Sequence, residues 1–169
     1  DDATGDDDDI TGDDDDTPPP PSDGIRFGYS FGECMGECTG SLFIPGSGFG
    51  VTFQTSDWNG AVYVDRYGDL WDGRGEELAA ISARVDFAAL EPVYGCPDCA
   101  DGGARTIEWD LGPVARTTTY EWGNPPDILA ELNEVLVVIE AEIASCQFGG
   151  WFSWIEGCDI PVGTDPGAP

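Results

Sequence analysis

The chain contains no histidine and no lysine, and these two absences exclude several kinds of catalysis. Without an imidazole there is no Ser-His or Cys-His nucleophile pair and no zinc site that uses histidine. Without an ε-amine there is no Schiff base, no P-loop lysine and no lysine isopeptide cross-link. The sequence therefore favours a noncatalytic protein.

Basic residues are also scarce, because 34 Asp and Glu stand against six Arg and give a formal net charge of −28 at pH 7. This acidic excess repels phosphate backbones and anionic lipid surfaces, so we expect no nucleic-acid partner, whereas divalent cations and basic surfaces are reasonable partners. Long apolar runs are missing too, since the longest purely aliphatic run is Val135 to Ile139. We therefore expect no transmembrane segment.

The N-terminal segment is the most acidic part of the chain. Its unit at 3–9 repeats at 10–16 with four consecutive Asp in each copy, and Thr17 to Ser22 contains four prolines that favour an extended polyproline conformation. We predict an acidic and polyproline arm over residues 1–23, a single domain over 24–160 and a C-terminal tail over 161–169.

The two Asp runs are candidate calcium ligands. Four consecutive carboxylates repel one another, and a hard cation that takes six to eight oxygen ligands would relieve that repulsion. The candidate ligands are Asp6, Asp7, Asp8, Asp9, Asp13, Asp14, Asp15 and Asp16. Contact with a neighbouring subunit is a second way to offset the repulsion, and a solvated spacer without a ligand is the remaining interpretation.

The rest of the chain predicts an α+β fold, in which an antiparallel sheet is packed by two helices and stapled by disulfides. Segments rich in aromatic and β-branched residues predict strands at 25–31, 41–44, 49–55, 61–67, 104–110, 114–122 and 151–155. Apolar spacing predicts one helix over 75–90 and a second from the Asn124-Pro125-Pro126-Asp127 cap through Cys146. We expect open strand edges near Ile25 or Trp151.

Five apolar residues recur at helical spacing along the second of these helices and predict its buried face. They are Leu129, Leu132, Leu136, Ile139 and Ile143.

Six cysteines in a Gly-rich domain are typical of up to three disulfides in an oxidising compartment. We expect Cys146 to pair with Cys158 across the end of the second helix. The other four, at Cys34, Cys38, Cys96 and Cys99, form either two local bridges or cross-linked ones. A zinc site made by these four is one alternative. Thiol-disulfide catalysis at Cys96-Pro97-Asp98-Cys99 is another, although acids surround this motif where a thiolate needs positive charge.

The segment from Cys34 to Ile44, with its C-x-G-x-C hairpin, and the later Cys96 to Gly103 resemble a group of uncharacterised bacterial secreted and lipoprotein domains. The resemblance covers roughly Ile25 to Cys146. The Thr-Gly-Asp-Asp-Asp-Asp repeats are similar to the tethers that follow the lipidated cysteine of some bacterial lipoproteins. The resemblance implies an extracellular or cell-surface location and no particular activity.

Two further features could carry a function. Glu108 and Glu121 lie on neighbouring predicted strands and could act as the acid and nucleophile of a glycosidase, but solvated acids on strand faces are far commoner. The six Trp and five Tyr could include a sugar-stacking face, although most aromatics in β-rich domains pack in the core.

The sequence therefore predicts a noncatalytic extracellular structural domain. We expect it to self-associate as a subunit of a surface fibre or matrix, with the arm bound to calcium or to a neighbouring subunit. The alternative is a monomeric lipoprotein-type binding domain that recognises a glycan or protein. A thiol or carboxylate enzyme is the third and least favoured interpretation.

Overall fold

A computed structural model describes residues 23–32, 34–97, 99, 102–111, 115–146 and 152–159. Within these residues the chain forms one eight-stranded sheet and two α-helices, as the sequence predicted in outline. The strands are β1 (Gly24–Ser30), β2 (Thr39–Pro45), β3 (Val51–Ser56), β4 (Val62–Leu70), β5 (Val93–Tyr94), β6 (Ala104–Asp110), β7 (Arg116–Glu121) and β8 (Ile155–Asp159). The helices are α1 (Arg74–Ser82) and α2 (Ala130–Ser145).

The sheet has the strand order β5-β7-β6-β1-β2-β3-β4-β8. Strands β1 to β4 form the expected antiparallel meander, and β6 pairs with the other side of β1. The predicted antiparallel sheet is confirmed in part, because β5 pairs parallel to β7 through Val93 and Tyr94 and the other described pairings are antiparallel. The sheet is mixed and larger than predicted, since a strand of two residues leaves almost no periodic signal in the sequence.

Alternate residues of the strands form a continuous apolar face. Phe27 of β1 lies opposite Leu42 of β2 and Ile107 of β6, and Leu42 lies opposite Phe53 of β3. All four are buried, whereas polar neighbours on the opposite face, such as Ser41, Gln54 and Glu108, are exposed. Since successive side chains of a strand point to opposite faces, one face carries the core and the other faces solvent.

Helix α2 and the turn that leads into it cover the apolar face with the residues that the sequence predicted. Leu129, Leu132, Leu136, Ile139 and Ile143 are all fully buried in one cluster with the strand residues. A single helical turn at Asp127–Leu129 leads into the helix after the two prolines. The apolar stripe at helical spacing therefore identified the packing face as well as the helix.

Helix α1 ends eight residues earlier than predicted. It runs from Arg74 to Ser82, and a separate short turn covers Phe87–Ala89. The Asp86 side chain accepts a hydrogen bond from the Ala88 N–H and so caps this turn, while the Phe87 ring stacks on Trp109 at 4.1 Å between centroids. An Asp that bonds to the nearby backbone competes with continued helix, which explains the early end.

The last strand begins four residues later than predicted. The backbone N–H groups of Ser153, Trp154 and Ile155 all donate to the Glu142 carboxylate of α2, at 2.8 to 3.1 Å. Ser153 and Trp154 are therefore turned toward the helix, and pairing with β4 starts at Ile155. Residue 151, where the predicted strand began, lies outside the described residues.

The edges of the sheet differ from the expectation. The prediction of an open edge near Ile25 was wrong, because β1 pairs with β2 on one side and β6 on the other. Trp151 lies outside the described residues. At the β8 side, strand pairing reaches only Tyr67 to Leu70 of β4, so no described residue pairs with the outer edge of β4 from Val62 to Arg66.

Neither described helix is long and apolar enough to cross a bilayer.

Candidate interaction surface

Two hairpin loops meet at one end of the sheet. Ser30, Thr39 and Ser56 lie in one cross-strand row, so the loop between β1 and β2 and the loop between β3 and β4 leave the sheet side by side. A hydrogen bond from the Cys38 N–H to the Ser56 carbonyl, at 2.8 Å, and a bond between the hydroxyls of Thr39 and Ser56, also at 2.8 Å, join the two loops. Their relative position is therefore fixed.

Between these loops lies a cleft of about 620 Å³. Its lining residues, here called the loop surface, are Gly32, Cys34, Met35 and Trp58. The Met35 side chain is fully exposed, and Trp58 is 80% exposed. Because exposing a large apolar side chain is unfavourable, two of them beside one cleft mark a candidate binding surface.

A disulfide in the first loop and a hydrogen-bonded turn in the second keep the Met35 and Trp58 side chains exposed. A disulfide joins Cys34 to Cys38, with 5.5 Å between the α-carbons, so Met35 lies in a short ring that cannot fold back over the core. In the other loop, Asp57 accepts hydrogen bonds from the N–H groups of Asn59 and Ala61, both at 2.8 Å. This Asx-type turn places Trp58 at the tip of the hairpin.

The loop surface is acidic at its margins. Glu37 is exposed within the disulfide ring, and Asp57 directly precedes Trp58. None of the six Arg lies in residues 31–38 or 57–61. The surface therefore combines an exposed indole and thioether with negative charge.

An aromatic cluster supports the base of the first loop. Tyr29, Phe31 and Trp122 contact one another with ring centroids 4.9 to 5.8 Å apart. Gly40 lies opposite Tyr29, and any side chain there would collide with the Tyr29 ring. The Phe31 N–H donates to the Cys38 carbonyl at 2.9 Å, which connects the cluster to the loop surface.

A buried ion pair lies beneath this cluster. The Arg105 guanidinium is 4.0 Å from the Trp122 ring centroid and 4.5 Å from that of Phe27, and it donates a hydrogen bond to the Glu140 carboxylate of α2. Arg105 is 6% exposed and Glu140 is 9% exposed. With its charge paired and its faces covered by rings, Arg105 holds the sheet to the helix and is not open to a ligand.

The ionisable groups around this pair have shifted pKa values. Burial raises the pKa of Glu140 above its ordinary value, and Arg105 opposes that shift. Burial also raises the pKa of Tyr120, whose hydroxyl donates to Asn133 at 2.7 Å, and that of Tyr29, where Glu37 adds to the effect. Burial is the largest cause of each of the three shifts, so they reflect packing of the core.

The cysteines predicted to be functional are all paired. Cys146 is bonded to Cys158, as expected, and the remaining four form two local bridges, Cys34 with Cys38 and Cys96 with Cys99. This result decides between the local and cross-linked pairings that the sequence left open. While it is bonded, a paired cysteine offers no thiolate to zinc. Thiol-disulfide exchange at Cys96 and Cys99 stays an untested alternative, because a disulfide is one of the two forms of such a pair.

The proposed carboxylate pair does not meet. Glu108 lies opposite Thr117, whereas Glu121 lies opposite Ala104, four residues further along the same strand. At about 3.4 Å per residue the two positions are roughly 14 Å apart along the strands, beyond the spacing that either class of glycosidase uses. The hollow beside Glu108, at about 70 Å³, is also too small for a sugar.

The eight candidate calcium ligands, from Asp6 to Asp16, lie outside the described residues. Among the residues that are described, no group of three or more acidic or cysteine side chains is placed to hold a metal ion. The calcium site stays a prediction.

Sequence reasoning did not single out Met35 or Trp58. The signal for Trp58 is the Asp57-Trp58-Asn59-Gly60 segment between two strand-like runs, since Asn-Gly marks a hairpin tip. The signal for Met35 is the five-residue cysteine ring, which is too short to bury its own side chains. For Arg105 and Glu140 no sequence signal exists, because 35 residues separate them.

Comparison with known proteins adds no relative from which a function could be transferred. A scan against protein-family models gives no match, and searches of curated proteins and of solved structures find no significant similarity. The resemblance to bacterial secreted and lipoprotein domains therefore stays a prediction from the motifs.

Proposed function

We propose that this chain is a noncatalytic extracellular domain that binds a partner macromolecule through its loop surface. The observation that carries the proposal is the exposed pair Met35 and Trp58 beside a cleft of about 620 Å³. Three disulfides support a place in an oxidising compartment, such as the cell surface. This function corresponds to the lipoprotein-type binding domain that the sequence offered as an alternative.

Rigidity of the site supports this function. Three features restrict the loops before any partner binds. They are the Cys34–Cys38 disulfide, the hydrogen bond between Cys38 and Ser56, and the turn at Asp57. A preformed site loses little conformational entropy on binding, so a small surface can still give useful affinity. Trp is also the residue type most enriched among the residues that dominate binding energy at interfaces.

We expect binding to depend on Trp58. Arrays of peptides and glycans probed with the full chain test this, with the wild type compared against Trp58→Ala and Trp71→Ala. Trp71 is a matched control, because it is an exposed Trp at the opposite end of the sheet. We expect ligands retained by the wild type and Trp71→Ala to lose about tenfold or more in signal with Trp58→Ala. The same ligands binding equally to all three proteins would refute the function.

The second candidate function is self-association, which the sequence favoured. The outer edge of β4 from Val62 to Arg66 supports it, because no described residue pairs with this edge and the Val62 and Tyr63 side chains are about half exposed. Unpaired strand edges are the sites at which β-rich subunits add a strand from a neighbour. Asp65 and Arg66 are charged and oppose such pairing in part.

Sedimentation velocity of the full chain with calcium and with a chelator tests self-association. If copies join through β4, the wild type forms concentration-dependent oligomers and Tyr63→Lys shifts them to monomer, because a charge is placed on the pairing edge. A Val93→Lys variant serves as the control, because Val93 lies in β5 at the opposite edge of the sheet. A monomer at every concentration in both conditions would exclude this function.

A further inference from the structure

We propose that the loop surface binds a basic polypeptide segment, with an Arg or Lys side chain of that segment stacked on Trp58. This inference rests on the proposed function and specifies the chemistry of the partner. Its physical basis is the combination of an exposed indole face, a cleft lined by Met35 and Trp58, and two carboxylates in the same two loops, Glu37 and Asp57.

The indole of Trp58 is available for a cation. Two other Trp side chains already lie against a guanidinium within this molecule, Trp122 with Arg105 at 4.0 Å and Trp154 with Arg74 at 4.7 Å. Trp109 stacks on Phe87 instead. Trp58 has neither a ring nor a guanidinium contact among the described residues. Trp gives the strongest cation–π attraction of the three aromatic residues, so its exposed face suits an incoming Arg or Lys.

Charge complementarity selects a basic segment over a neutral or acidic one. The Glu37 side chain lies in the ring beside Met35, and Asp57 adjoins Trp58. Arg105, which lies opposite Tyr29 at this end of the sheet, is buried and paired with Glu140, so it does not neutralise these carboxylates. An acidic segment would also meet the field of a chain with net charge −28.

The cleft suits the uncharged part of such a side chain. Arg and Lys carry aliphatic stems that cover apolar surface while the charged group stays in water or meets a carboxylate. The Met35 thioether is flexible and polarisable, and it adapts to a stem of either length. A bound side chain would lie with its stem along Met35, its cation over Trp58 and its charge facing Glu37 and Asp57.

Titration calorimetry of the full chain with two peptides tests the inference. The probe is Gly-Arg-Gly-Arg-Gly and the matched control is Gly-Gln-Gly-Gln-Gly, both with blocked ends and at near-physiological salt. We expect the Arg peptide to bind the wild type and Trp71→Ala alike, to bind Trp58→Ala about tenfold more weakly, and to bind Glu37→Gln about threefold more weakly. The Gln peptide should bind none of them measurably.

The same binding of the Arg peptide to Trp58→Ala and to wild type would overturn the inference, because the acidic arm alone would then account for it. Equal binding of the two peptides to the wild type would overturn it as well, as would no binding of the Arg peptide. If Trp58→Ala is shown by circular dichroism to be misfolded, Met35→Gln takes its place, with a loss of about threefold expected. An array in which neutral peptides or glycans lose binding in Trp58→Ala would leave the proposed function intact and reject a basic partner.

Discussion

Replacing Arg105 with Met will lower the free energy of unfolding by about 4 kcal/mol at about pH 8. The replacement leaves the Glu140 carboxylate buried without its partner and removes the cation from the faces of Phe27, Tyr29 and Trp122. Urea denaturation followed by far-ultraviolet circular dichroism measures the change. The control is Arg84→Met, which breaks an exposed ion pair with Glu131 and should cost less than about 1 kcal/mol.

The double variant Arg105→Met with Glu140→Leu distinguishes two causes of lost stability, namely an unpaired buried charge and lost packing contacts. Replacing both members of a buried pair by apolar residues is often neutral or stabilising, so we expect the double variant to recover most of the lost stability. If the double variant is as unstable as Arg105→Met, the cation–π contacts and not the uncompensated carboxylate hold this region together.

The stability contributed by Glu140 depends on pH with a defined sign. Burial raises the folded-state pKa of Glu140 above its ordinary value of 4.5, although Arg105 opposes the shift. Below pH 4.5 this contribution is complete, and it is lost as the pH rises through the raised folded-state pKa, because deprotonation there charges a buried group. As the pH rises above 4.5, the wild type should therefore lose unfolding free energy relative to Glu140→Gln.

The same titration makes Arg105→Met a pH-sensitive variant. Without the guanidinium the Glu140 pKa rises further, so lowering the pH protonates the carboxyl group more readily and relieves part of the cost. The loss of stability should therefore be smaller at about pH 5 than at about pH 8. A loss that is equal at both pH values would show that Glu140 is not the group responsible.

Replacing Glu142 with Ala will detach the start of β8 from α2 and lower the unfolding free energy by about 3 kcal/mol. The Glu142 carboxylate accepts from the backbone N–H groups of Ser153, Trp154 and Ile155 and from the Ser153 hydroxyl. A carboxylate in the last turn of a helix is itself unfavourable, because the helix dipole is negative there. Its position is explained by these four hydrogen bonds, which offset that cost.

Hydrogen exchange locates the effect of this change. We expect the amides of Trp154 and Ile155 to exchange much faster in Glu142→Ala, while those of β1 and β2 change little, because the Cys146–Cys158 disulfide still anchors the strand. Glu134→Ala removes the same charge from an exposed position of the same helix and serves as the control. Equal stability and equal exchange in the two variants would contradict the proposed role of Glu142.

The parts of the fold that could be predicted are those whose signal is local and repeated. Helix α2 and the single turn before it carry five apolar residues at helical spacing after a proline cap, and all five are buried. The first four strands are rich in aromatic and β-branched residues and are separated by Gly-containing turns, so their order as a meander followed directly.

The parts that could not be predicted depend on contacts between distant residues. The start of β8 is set by Glu142, eleven residues before Ser153, and the parallel strand β5 has only Val93 and Tyr94. The same limit applies to the site. Composition shows that the chain has six Trp, but only the packing shows that Trp109, Trp122 and Trp154 contact other side chains while Trp58 is exposed.

The most direct test of the central claim is a nuclear magnetic resonance titration of the isotope-labelled full chain with the Gly-Arg-Gly-Arg-Gly peptide. If the loop surface is the binding site, the largest shifts will occur at the amides of Gly32, Met35 and Glu37 and at the indole N–H of Trp58. Shifts confined to the Asp repeats between Asp6 and Asp16 would contradict the claim, because they would show that the acidic arm alone attracts the peptide.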